Sequence, residues 1–270
     1  MKYLSFVLSV ALVGCAAPPP PKCADTPPDQ RGDLRRAEGD GAQGDEPAHG
    51  GEHDAKGHEH HAAHGKHDHG KHGGPLVHGF DGDPAKWAQR FEGPKRDGWQ
   101  KPEQVIAKLA LKPGMRVADV GAGTGYFTPH LSKAVGASGQ VVSVDIEPTM
   151  VRYMLDRAER EGHANVAVRL AVPADPLLGK ASLDRIIVVD TWHHIPERVA
   201  YAEKLMAALR PGGQIHVVDF KPTSDKGPPK KHKLAAAKVA EELQAAGLTV
   251  TVDDTTLPEQ YIAIGTKPAG

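Results

Sequence analysis

Only two cysteines occur in the 270 residues, Cys15 and Cys23, and both lie close to the start. The rest of the chain therefore has no disulfide, no thiolate metal site and no cysteine nucleophile. Aromatic residues make up only 5% of the chain, and from 35 to 75 nothing is apolar except alanine. A stretch of that composition cannot bury enough apolar surface to offset the entropy of ordering it. The formal net charge of −1 provides no field that would gather nucleic acid, and no nucleic-acid partner is expected. The longest apolar run, Tyr3–Val13, has eleven residues, too few for a spanning helix.

That run follows Lys2 and leads into "LVGC", the pattern of an export signal. The last four residues resemble the lipobox of bacterial lipoproteins. The resemblance implies cleavage after residue 14, lipidation of Cys15 and attachment to a membrane of the bacterial envelope. If the signal is not used, the protein stays in the cytoplasm. Residues 15–80 read as a disordered tether rich in proline, glycine and histidine, holding ten of the sixteen histidines between His49 and His78. His58, His60, His61, His64, His67 and His69 form its densest part. Neutral imidazoles bind zinc, nickel or copper, so weak metal binding is one reading and a solvated tether is the other. The metal reading carries a rival function: a metal-handling lipoprotein whose folded part is a scaffold.

Residues 81–270 read as one domain of ordinary size. Trp87, Phe91 and Trp99 are expected to anchor its lead-in. Strands are expected at "MRVADV", "QVVSVDI", "NVAVRL", "DRIIVVD", "GQIHVVDF", "LTVTVDD" and "QYIAIGTK". A helix with Met150, Val151, Met154, Leu155 and Ala158 on its inner side follows the second strand, and another over "PERVAYAEKLMAALRPGG" has a Pro-Gly stop. The alternation implies an α/β fold with a mostly parallel sheet covered on both faces, closed by an antiparallel pair.

Ligands of such sheets bind beyond the carboxyl ends of the strands. Gly121, Gly123 and Gly125 fall at the first strand-to-helix turn, where bare backbone can approach a ligand. Asp145 ends the second strand, placed to accept both hydroxyls of a ribose. Asp119, two residues before the first glycine, would repel a pyrophosphate but suits a cationic methionine end. This register favours S-adenosylmethionine (SAM) over NAD, whose pattern is G-x-G-x-x-G.

"VADVGAGTGYFT", "VVSVDIEPTM" and "ALRPGGQIHVVDF" together resemble the motifs of class I SAM-dependent methyltransferases, nearest the quinone-biosynthesis branch. The resemblance covers about residues 100–267. It implies a Rossmann-like seven-stranded sheet with a reversed last strand, and a small-molecule methyl acceptor. It also assigns the methionine end to Asp119, Gly121 and Gly123, with Ala122 and Gly125 in the same loop. The ribose falls to Asp145 and adenine packing to Ile146, a side chain expected to be buried with or without ligand. Where the family has Asp-Ala after the third strand, this chain reads "LAVPADPLL", so Asp175 receives no role. Past the fourth strand, "VVDTWHHIPE" offers Asp190 to orient a donor group, and His193 or His194 to take a proton. The lysine-rich stretch 221–233 can meet an anionic head group or simply face solvent.

Overall fold

The computed structural model describes residues 83–93 and 95–270, which belong to a single packed unit. The expected leader, Cys15 and the histidine tract lie outside the described residues. Three helices lead in: α1 (Pro84–Phe91), α2 (Arg96–Gln100) and α3 (Pro102–Leu109). Strands and helices then alternate: β1 (Arg116–Val120), α4 (Thr128–Val135), β2 (Gln140–Asp145), α5 (Pro148–Arg160), β3 (Val166–Leu170), β4 (Leu183–Val189), α6 (Arg198–Ala208), β5 (Leu209–Phe220), α7 (Ala236–Ala245), β6 (Thr249–Asp253) and β7 (Gln260–Thr266). The strands form one sheet in the order β3-β2-β1-β4-β5-β7-β6. The strand pairs from β3 through β5 are parallel, and β7 runs antiparallel to both β5 and β6.

The strands are apolar on both sides because both faces are covered. On one face Ala118, Val120, Ile186, Val188, Ile215 and Val217 pack against Tyr201, Leu205, Val239 and Leu243 of α6 and α7. On the other, Val117, Ile187 and Val218 meet Val105, Leu109, Leu131 and Val135 of α3 and α4. Chain order reverses between β1 and β4, so the carboxyl ends of these central strands meet at one rim, the place where ligands of such sheets bind.

Two local expectations need correction. Leu155 is 45% exposed, whereas Met150 and Met154 are buried. Its position, one residue after Met154, is rotated about 100° away from the buried stripe. The "RPGG" expected to end a helix instead lies inside β5. Leu183 pairs with Leu209 and Arg185 with Gln214, so β5 advances five positions where β4 advances two. The surplus forms a bulge that Gly212 accommodates at φ +73°.

His216 sits mid-sheet, in register with Ile187 and Ile264, with Nδ1 unpartnered. Burial, reinforced by the Arg185 charge, pushes its pKa down from 6.5 to about 3. Between these values the unfolded chain binds a proton that the folded one does not, so stability falls as pH falls. From pH 6.5 to 5 this residue should cost about 2 kcal/mol. Urea unfolding should show that His216→Leu loses less stability over this interval than the wild type; equal losses would contradict the assignment.

Candidate functional site

β1 ends in the middle of the sheet, and the loop after it is folded by its glycines. The amides of Gly121 and Ala122 both donate to the Val144 carbonyl, at 2.9 and 3.1 Å, tying the loop to β2. Gly121 has φ +69°, and a Cβ there would lie 2.3 Å from Thr191 Cγ2. Thr191 in turn donates its hydroxyl to the carbonyls of Gly121 and Val189. The loops after β1 and β4 are thus clasped together, and only glycine fits the contact. Gly123, at φ +56°, would carry its Cβ into open space, and its amide donates to Asp145 Oδ2 at 2.7 Å. Gly125 serves packing, since a Cβ would meet Met154 and Thr128 at 3.2 Å.

Two carboxylates flank this loop. Asp119, on β1, is 3% exposed, and its Oδ2 has no hydrogen-bond partner. Burial raises its pKa from 3.8 to about 7, helped by the Asp145 charge and opposed by Arg96 and Thr128. Asp145 is also raised by burial, against the pull of its backbone hydrogen bonds. Its oxygens accept from the amides of Gly123 and, at 3.0 Å, Glu147. Each carboxylate oxygen retains acceptor capacity for a ligand hydroxyl. Ile146 is not buried: it is 41% exposed, because β2 has ended and the chain turns outward at the rim. An exposed aliphatic side chain beside a carboxylate with free acceptor capacity could carry a flat apolar ring. Asp175 lies at the surface, paired with Lys204 at 3.2 Å.

Beyond β4, Asp190 occupies the left-handed region at φ +53°. Arg96 of α2 reaches it at 3.3 Å, and Gln260 Nε2 donates to its other oxygen. Gln100 closes a ring by donating to Gln260 at 2.5 Å and accepting from Arg96. The Arg96 guanidinium also lies 4.0 Å over the Tyr126 ring, whose hydroxyl donates to Asp97. These contacts fasten α2 across the glycine loop. Burial lifts Asp190 to about 7, with Arg96 opposing and Asp219 adding to the shift.

Trp192 to His194 form a short 3-10 turn. Trp192 is core, its indole N–H donating to Glu242 of α7 at 2.9 Å. His193 is buried, with Nδ1 2.9 Å from both oxygens of Asp219 at the end of β5. The His194 ring lies tilted against that of His193, with centroids 4.1 Å apart. In the lysine-rich stretch, Lys221 and Lys233 are spent on the Leu257 and Ser224 carbonyls. Lys226, Lys230 and Lys231 remain exposed. Among the described residues no group of three or more His, Cys, Asp or Glu is arranged to hold a metal.

The rim therefore gathers Asp119, the glycine loop, Asp145, Asp190 and His193, and adds Arg96, Gln100, Gln260 and Asp219, which sequence reasoning missed. One signal could have found Asp219. "VADV", "VVSVD", "IIVVD" and "IHVVD" each place an aspartate at or next to the rim end of a strand, and Asp219 is the fourth of them.

Sheet order, reversed β7 and acid-flanked glycine loop define an α/β protein with a nucleoside-type site at its rim. Residues 111–259 match the family model described as a methyltransferase domain, and the chain belongs to that family. A solved SAM-dependent methyltransferase from Aquifex aeolicus is 30% identical, with a TM-score of 0.64 over 68% of this chain and 98% of that one. Nocamycin O-methyltransferase of Saccharothrix syringae is 35% identical over 38% of this chain and 37% of its own length. The ubiquinone/menaquinone biosynthesis C-methyltransferase UbiE of Hydrogenovibrio crunogenus is 31% identical over 45% and 48%. The chain thus spans half or less of the length of these two curated relatives.

Proposed function

We propose that the protein transfers a methyl group from SAM to a small-molecule acceptor. The observation that carries this is Asp119, an almost fully buried carboxylate whose Oδ2 has no partner, beside a loop with one open glycine. A buried anion left unpaired is costly, and a cationic ligand group removes that cost. Asp119 would receive the ammonium of the methionine end, Gly123 would let that end approach the backbone, Asp145 would accept the ribose hydroxyls and Ile146 would carry the adenine. When bound, SAM supplies an activated methyl on a sulfonium. The protein's part is to align the acceptor with it, and Asp190, His193 and His194, which follow β4, would face that acceptor.

The similarity to nocamycin O-methyltransferase and to UbiE supports a small acceptor. Calorimetry should show SAM and its demethylated product binding the purified protein, and an untargeted search for methylated products would name the acceptor. Binding of neither ligand refutes the reading. The lipobox-like "LVGC" supports a lipid tether through Cys15. Cys15→Ser is expected to move the protein from the membrane fraction to the soluble fraction; unchanged fractionation contradicts the tether.

A further inference from the structure

Asp219 and His193 form a buried pair that cofactor binding does not use. Their side chains are 0% and 3% exposed, and Nδ1 of the histidine lies 2.9 Å from both carboxylate oxygens. The carboxylate is itself fixed by the Phe220 amide at 2.8 Å. A carboxylate accepts hydrogen bonds, so in the neutral ring the contact places the proton on Nδ1 and leaves the lone pair on Nε2. Nε2 makes no hydrogen bond to the described residues, although Nδ1 is held twice over. His193 keeps 9% of its surface exposed and Nε2 is not among the buried atoms left without a partner, so this nitrogen is open at the rim and not sealed in the core. Thr191, two residues earlier, clasps Gly121, so the pair stands on the same rim as the glycine loop. The charged and titratable groups around it are Asp190 and Arg96 on one side, His194 against the ring, and Tyr261 near Asp219, with Glu242 and Arg198 in turn near Tyr261. Trp99 and Phe220, with ring centroids 5.4 Å apart, add aromatic wall at the end of β5.

We propose that Asp219 is a positioning residue that presents His193 Nε2 as the proton acceptor for the methyl acceptor, whose reacting group is a hydroxyl of the phenol or enol class. The inference rests on the methyl-transfer reading and adds the acceptor's chemistry to it. The acceptor's O–H bond breaks with its proton passing to Nε2, while the oxygen pair forms the new bond to the methyl carbon and the carbon–sulfur pair stays on sulfur. The imidazolium formed lies against the Asp219 carboxylate and later returns its proton to water. Acceptors that react through an existing lone pair need no such base.

The test uses the full chain and two readouts. Nitrogen NMR of the histidine rings, with His193 assigned by His193→Gln, should find the Nδ1–H tautomer in the wild type. In Asp219→Asn the side-chain amide donates to Nδ1, and the tautomer should switch to Nε2–H. With SAM and separate panels of phenols and quinols, and of thiols and amines, the wild type should methylate phenolic hydroxyls. Asp219→Asn should lower kcat by about 10²–10³-fold while KM for SAM changes less than twofold. The inference is overturned by an Nε2–H tautomer in the wild type, by full activity in Asp219→Asn, by transfer only to thiols or amines, or by no transfer to any phenol from a preparation that binds SAM. Failure to bind SAM would instead defeat the methyl-transfer reading on which the inference stands.

Discussion

Asp119→Asn is expected to make the protein more stable and worse at binding SAM. The raised pKa of about 7 means that between pH 3.8 and 7 the folded state holds a proton the unfolded chain has lost. Stability therefore falls as pH rises through that window, and above it the ionised side chain costs on the order of 4 kcal/mol. Asparagine keeps the shape without the charge, though its own buried amide retains part of the penalty. A gain of about 1–2 kcal/mol at pH 8 should result, seen as a melting temperature several degrees higher. The advantage should shrink as pH falls toward 4. SAM affinity should fall about 10²-fold, the loss of a charged hydrogen bond worth about 3 kcal/mol. Wild-type affinity should itself weaken below pH 7, by up to tenfold per unit, because binding the cation requires the ionised carboxylate. A variant that is less stable at pH 8 and binds SAM normally would show that Asp119 is an ordinary structural acid.

Gly121→Ala and Gly123→Ala should differ in kind. At Gly121 the added methyl carbon would lie 2.3 Å from Thr191 Cγ2, in a left-handed backbone. Strain and overpacking together should cost about 2–4 kcal/mol of stability. Thr191→Gly removes the three side-chain atoms in the way, so the double variant should lose markedly less than the two single losses added together. At Gly123 nothing lies within 4 Å, so unfolding should register only backbone strain of about 1 kcal/mol. There the methyl enters the space assigned to the methionine end, and SAM affinity should fall at least tenfold. Denaturant titration and calorimetry on the same preparations separate the two effects. Equal stability losses, or unimpaired SAM binding by Gly123→Ala, would remove the distinction between a clasp and a ligand-facing glycine.

The sequence carries the fold because its signals are local. Most strands hold a short apolar run, α4, α5 and α7 stop at or beside Gly136, Gly162 and Gly247, and the motifs after β1 and β2 lie within a few residues of their structural context. The rim is less legible where it depends on distant partners. Arg96 meets Asp190 across 94 residues, and Gln100 meets Gln260 across 160. Neither glutamine has any local pattern to mark it, because its importance comes from what the folded chain puts opposite it. Ile146 was expected inside because apolar strand ends usually are, yet the sheet stops one residue before it. His193 was visible as a candidate base, but its carboxylate partner lies on the next strand of the sheet, 26 residues on.

The most direct measurement compares two ligands on two proteins: SAM, and 5′-methylthioadenosine, which keeps the nucleoside and thioether but lacks the amino-acid end. Calorimetry at pH 8 should find that Asp119→Asn weakens SAM about 10²-fold and leaves methylthioadenosine within twofold of wild type. Equal weakening of both ligands, or of neither, would contradict the assignment of the buried carboxylate to the cationic end.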